Sequence, residues 1–222
     1  MQRTLRVMVA IAVDIWTDLV CPWCFIGKRR FEAALGEFEH RDAVEVRWRS
    51  FELDPGAPAE STQTIPERIR DLGMSEAQAD EQAARVTALA AEVGLAYRLD
   101  LARPVNSFDA HRVMHLAEDE GVGEAVRERL MTAYTGEGAA LGDHETLVAE
   151  AAKAGLDGGT TRTMLKGDAY TAAVRADEQR AAAVGVTAVP SFVGGGKYLV
   201  AGAQPAEVFA LLLRRVWEEA AT

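Results

Sequence analysis

The chain lacks the residues that would staple a small fold or draw it to nucleic acid. It has only 2 cysteines and 4 histidines in 222 residues. A secreted scaffold needs several paired cysteines, so a disulfide framework is excluded. Positive charge is scarce too: 24 Lys and Arg stand against 34 Asp and Glu, a formal net charge of -10. That field repels a phosphate backbone unless a local basic face overcomes it. The compact basic run Lys28-Arg29-Arg30 is read as the solvated side of a helix whose apolar side carries Phe25, Phe31 and Leu35. No apolar stretch is long enough to span a bilayer, and no tandem repeat or low-complexity tract interrupts the chain. Neither nucleic acid nor membrane is an expected partner, and no segment marks an oligomer interface.

What the chain does have is material for a core, with 49% hydrophobic residues. One domain with an insertion, or two intimately packed subdomains, fits that composition and length. Arg3 and Arg6 precede the apolar run Val7 to Val13, which superficially resembles a secretory leader. Asp14 ends the run, no small-residue cleavage site follows, and Cys21 comes too soon to be discarded with a leader. A buried strand accounts for the same residues, with Met8 a second candidate for the biological start. The expected location is therefore the cytoplasm, where a lone cysteine pair reads as reversible redox chemistry.

Val7 to Trp16 is predicted as a central strand, and Pro22 to about Phe38 as the helix after it. Val44 to Ser50 alternates with period two, placing Val44, Val46 and Trp48 on one side of a second strand. Asp54-Pro-Gly-Ala-Pro58 then breaks the pattern. Helices follow for roughly a hundred residues, with capping-box spacing at Ser75 and Gln78 and a cap at Asp143. Loops are expected at Gly136 to Gly142 and at Asp157 to Thr160, and a further helix from Asp168. Pro190 to Val193, the Gly194-Gly-Gly196 turn and Lys197 to Val200 form a hairpin pattern, and Pro205 opens a last amphipathic helix. The order β-α-β, helical block, α-β-β-α describes an α/β sheet domain interrupted by a helical insertion. The expected boundaries are 7–53 and 165–220 for the sheet parts and 54–164 for the insertion.

The spacing Cys21-Pro-Trp-Cys24 puts both sulfurs at one helix start. Cys21 is the favoured attacking thiolate, because orphan N–H groups and the positive end of the helix dipole stabilise negative charge there. Cys24 lies a turn deeper and can resolve a mixed disulfide. The competing reading of such a pair is half a zinc site, completed by His111 and His115 at i,i+4 spacing. Nothing in the sequence brings those histidines to Cys21, so no metal is expected. Pro190 is a strand-starting proline or, if its peptide bond is cis, the turn that holds the Val189 backbone beside Cys21.

Together, Asp18-Leu-Val-Cys-Pro-Trp-Cys-Phe-Ile-Gly27, Asn106-Ser-Phe-Asp-Ala-His-Arg112, Val189-Pro-Ser-Phe192 and Val200-Ala-Gly-Ala-Gln-Pro205 resemble the DsbA-like thioredoxin-fold family. The resemblance is to its FrnE-like branch, related to 2-hydroxychromene-2-carboxylate isomerases, and covers about Val9 to Glu219. It implies a thioredoxin-like sheet domain with a helical insertion, Cys21 as nucleophile, Cys24 as resolving cysteine and Pro190 as a cis-proline facing them. Asn106, His111 and Arg112 match the family's helical motif, either shaping a substrate groove or fixing the insertion by capping and polar packing. Trp23 either contacts substrate or covers the helix start. It cannot lend positive charge as a histidine between the cysteines would, which argues against a strongly oxidising pair.

The implied activity is thiol–disulfide exchange with a protein or small-molecule thiol. No cofactor is tightly bound, and glutathione or another thiol is a possible redox partner. The alternative is a glutathione-dependent isomerase. That branch generally uses serine at the position of Cys21 and does not need Cys24.

Overall fold

A computed structural model describes residues 10–221. The first strand, β1 (Ile11–Thr17), carries the fully buried side chains of Val13, Ile15 and Trp16. Residues 7–9, where the strand was expected to begin, lie outside the described residues, as does the candidate start Met8. The helix α1 (Pro22–Gly36) follows, then a 3-10 turn (Arg41–Ala43) and β2 (Val44–Ser50), whose bounds are those expected from alternation. β1 and β2 pair in parallel, Ile11 opposite Val44 and Thr17 opposite Ser50. Parallel neighbours need a crossover, and α1 supplies it.

Six helices come next: α2 (Ile65–Asp71), α3 (Glu76–Glu92), α4 (Phe108–Asp119), α5 (Gly123–Glu137), α6 (His144–Lys153) and α7 (Gly158–Lys166). Reciprocal capping boxes start two of them, Thr64 with Glu67 and Ser75 with Gln78. Residues 157–160 are not a loop. Asp157 accepts the Thr160 N–H at 2.7 Å, making the segment the first turn of α7. Helix α8 (Thr171–Ala183) starts later than the expected Asp168, because Tyr170 takes the N-cap position in the left-handed region, φ 64°. The chain closes with β3 (Ser191–Gly194), β4 (Tyr198–Ala201) and α9 (Ala206–Ala220).

The sheet order is β2-β1-β3-β4, with β3 antiparallel to both neighbours. Helices α1 and α9 cover one face, where the rings of Phe31, Phe192 and Phe209 lie with centroids 4.4 to 5.8 Å apart. Burying each such ring contributes about 1.5–3 kcal/mol. Helix α8 covers the other face, packing Ala181 against Trp16 and Val193. The Trp16 indole N–H donates to the Asp177 carbonyl at 2.9 Å, so the one polar atom of that ring is satisfied.

A third apolar cluster joins the first turn of α1 (Cys21, Cys24, Phe25, Ile26) to the interior of the helical block, including Val86, Val113, Met131 and Tyr134. The protein is thus an α/β thioredoxin-like sheet domain with an inserted helical subdomain, and its cysteine pair sits at their seam. Polar contacts fasten the same seam. Lys28 is not solvated, as the basic run suggested, but 1% exposed. Its ammonium lies 2.6 Å from Glu32, 2.6 Å from Glu124 and 3.0 Å from Glu128, the last two on α5. Burial opposes its charge, yet those carboxylates outweigh burial and hold its pKa above the ordinary lysine value. Arg29 also pairs with Glu128, and Arg30 donates to the Ala203 carbonyl at 2.7 Å.

Candidate active site

At the end of β1, the turn Asp18-Leu-Val20 carries the chain over the sheet edge and into α1. The Cys21 N–H donates to the Asp18 carbonyl at 3.3 Å. Cys21 is the N-cap residue, extended at φ -98° and ψ 113°, and makes no side-chain capping bond. Pro22 at the first helical position loses no internal bond. The first turn carries no acidic residue, so the N-terminal dipole meets no competing negative side chain there.

Both cysteines are buried, 4% and 1% exposed. The Cys21 Sγ lies 4.0 Å from the Val189 carbonyl oxygen, and the Cys24 Sγ accepts the Asp18 N–H at 3.4 Å. Burial pushes the Cys24 thiol well up, and the hydrogen bond from Cys21 and its charge add to that. The Asp18 N–H works in the other direction. Burial therefore opposes ionisation of Cys24, which lies one turn inside the helix start that carries Cys21.

The Val189–Pro190 peptide is cis. Its position next to α1 depends on Gly27: a Cβ there would sit 2.9 Å from Pro190 Cγ and 3.4 Å from the Phe192 ring. Among the described residues no hydrogen bond uses the Val189 N–H, and its carbonyl has only the long contact from Cys21. Trp23 is half-buried and packs on the seam cluster, as does Val189.

The structure does not draw Asn106, His111 and Arg112 into one group. The Asn106 amide donates to Glu52 at 3.0 Å and the Pro55 carbonyl at 3.2 Å, and its oxygen accepts the Phe108 N–H at 3.0 Å. Arg112 is buried and donates to the carbonyls of Ala169, Met164 and Gly167 and to Asp109, between 2.6 and 2.9 Å. These are capping and packing contacts. His111 alone of the three turns toward the cysteine loop, its Nε2 lying 3.5 Å from Asp18 Oδ1. His115 instead bonds Ser50 at 3.2 Å and lies 3.4 Å from Asp177. Among the described residues no group of three or more side chains could hold a metal ion.

The sequence assigns no role to Thr17 or Tyr97, and none to Asp18 although it heads the cysteine motif. Asp18 is fully buried, and its carboxylate accepts the N–H groups of Val20 at 3.2 Å and Leu53 at 2.6 Å, bracing the cysteine loop. Its place three residues before Cys21 was the available signal. Tyr97, reaching in after α3, donates to the Pro22 carbonyl at 2.6 Å. Burial first, then the charges at Cys21 and Cys24, raise its pKa well above the ordinary tyrosine value.

A two-cysteine helix start on a thioredoxin-like sheet is a thiol–disulfide site. Residues 12–214 match the DSBA-like thioredoxin domain, and the chain belongs to that family. It is 44% identical to a probable DsbA oxidoreductase from Streptomyces coelicolor, with a TM-score of 0.91 over 94% of this chain and 91% of that one. A 2-hydroxychromene-2-carboxylate isomerase shares the fold at 17% identity and TM-score 0.68, covering 95% of this chain and 98% of that one. So does the cytosolic disulfide reductase DsbM of Pseudomonas aeruginosa, at 20% identity and TM-score 0.62, covering 93% and 99%. That reductase has also been solved with GSH, at 18% identity to this chain and TM-score 0.61.

Proposed function

We propose that the protein is a cytoplasmic thiol–disulfide oxidoreductase of the FrnE-like branch, acting on a protein or small-molecule thiol. The observation that carries this reading is Cys21 at a helix N-cap, 4.0 Å from an otherwise unpaired Val189 carbonyl. Cys21 attacks one sulfur of a substrate disulfide, forming a mixed disulfide and releasing a thiolate. Cys24 then attacks Cys21 and releases the second thiolate. In the oxidising direction, a substrate thiolate attacks Cys21 of the Cys21–Cys24 disulfide, and a second substrate thiol completes the exchange. Val189 offers its N–H and C=O to an extended substrate backbone as a short added strand, and Trp23 forms the apolar wall of the groove. Asn106 and Arg112 serve the groove indirectly, by fixing the inserted helices against the sheet domain.

Glutathione fits as a redox partner because it presents one reactive thiol and a peptide backbone. The test is covalent capture with Cys24→Ser, which leaves Cys21 no resolving partner. Mixed disulfides at Cys21 are expected by mass spectrometry and should vanish when Cys21 is also replaced. Turnover of a non-thiol isomerisation substrate by a Cys21→Ala, Cys24→Ala protein would favour the isomerase instead.

A further inference from the structure

Among the described residues, two buried side-chain polar atoms have no hydrogen-bond partner: Thr17 Oγ1 and His111 Nε2. Both residues line the same pocket, of about 30 Å³, together with Leu19, Ser50 and Met114. That is room for one or two water molecules, and a water there has polar neighbours to bind. The exposed Glu118 lines the same pocket, so it reaches the surface from behind the cysteine loop. Thr17 and Asp18 form the step between this pocket and Cys24. Thr17 lines the pocket, and the N–H of its chain neighbour Asp18 donates to Cys24 Sγ at 3.4 Å.

We propose that His111 is the proton acceptor for Cys24, reached through a water held between Thr17 Oγ1 and His111 Nε2. This rests on the oxidoreductase reading and assigns a further residue to its resolving step. The Cys24 S–H bond breaks, and its proton passes to His111. The freed electron pair forms the Cys24–Cys21 bond, the bond from Cys21 to substrate breaks, and the substrate sulfur leaves as a thiolate. The two cysteines together lose two electrons, and the substrate disulfide gains them. The proton then leaves His111 through the pocket, to water or to the departing thiolate.

The surrounding charges single out His111. Asp18, 3.5 Å away, is the carboxylate facing its ring, and each Asp18 oxygen already accepts a backbone N–H. The other charged groups of the pocket are engaged with one another or with neighbours: His115 with Ser50 and Asp177, Arg49 with Asp14 and Asp177, and Arg127 with Glu118 and Glu124.

The test uses the full chain, reduced and mixed with 5,5′-dithiobis(2-nitrobenzoate). Attack by Cys21 releases one coloured thiolate, and resolution by Cys24 releases the second, so one trace reads both steps. His111→Gln is expected to slow the second phase about 10²-fold near neutral pH, the size of a general-base contribution, and to leave the first within roughly twofold. The deficit should shrink as pH rises and hydroxide replaces the imidazole. Thr17→Val is expected to slow the second phase in the same way and decides the matter if His111→Gln does not fold. A second phase unchanged in the folded variant, or two phases slowed equally, overturns the assignment. Absence of both phases in the unaltered protein would instead overturn the oxidoreductase reading.

Discussion

The first two turns of α1 are opposites. In the first, the sulfurs of Cys21 and Cys24 have only long polar contacts with the backbone, at 4.0 and 3.4 Å, and no ion pair touches them. In the next, Lys28 and Arg29 are tied into carboxylates from α1 and α5, and Arg30 into the Ala203 carbonyl. The contrast separates two jobs on one rigid element. The sulfurs must change bonding partners at every turnover, so few strong contacts hold them. The helix that aims them must not move, so its next turn is pinned to the helical block. Gly27 lies between the two turns and lets the cis-proline segment pack close.

Substitutions should therefore act on chemistry or on stability according to the turn they strike. Cys21→Ala has the largest effect: disulfide exchange is lost, while urea unfolding of the reduced protein stays close to that of the parent. Lys28→Ala should do the reverse, leaving three carboxylates without their shared cation. A cost of about 3 kcal/mol is expected, the low end for a broken buried pair because these carboxylates still reach water. Exchange should persist below the lowered melting temperature. Loss of exchange in a folded Lys28→Ala protein would show that the two turns are not separable.

Gly27→Ala sits on the border. Its new methyl meets the proline ring at 2.9 Å, so a loss of about 1–3 kcal/mol is expected together with slower exchange. The smallest effect is on pH dependence. Because burial raises the Cys24 pKa, the folded state keeps a proton that the unfolded chain gives up above about pH 8.5. The unfolded state then binds fewer protons, so stability falls as pH rises from there toward the folded value. The slope is at most roughly 1.4 kcal/mol per pH unit, and Cys24→Ala should remove it from unfolding curves of the reduced protein.

Features encoded by near neighbours were the legible ones. β2 was read to the residue because alternation is local, and so was the Ser75–Gln78 capping box. The place of the cysteines at the start of α1 followed from a proline at the first helical position after a buried strand. The start of α8 was misplaced because Tyr170 adopts a left-handed conformation that a tyrosine does not advertise. Lys28 was misread for a different reason. Two of its partners come from α5, some hundred residues on, and a three-residue basic run carries no sign of them. The same distance hid Tyr97 and the meeting of Thr17 with His111, since each depends on how the insertion docks rather than on any local pattern.

The central claim is that Cys21 and Cys24 act as one two-electron couple. Equilibrating the protein with glutathione of varied reduced-to-oxidised ratio, then counting free thiols by alkylation and intact mass, tests it most directly. The account predicts a reversible shift between a dithiol and an internal Cys21–Cys24 disulfide, with the midpoint depending on the square of the reduced glutathione concentration. A protein that stops at a glutathione adduct on Cys21, or whose cysteines never join, would contradict it.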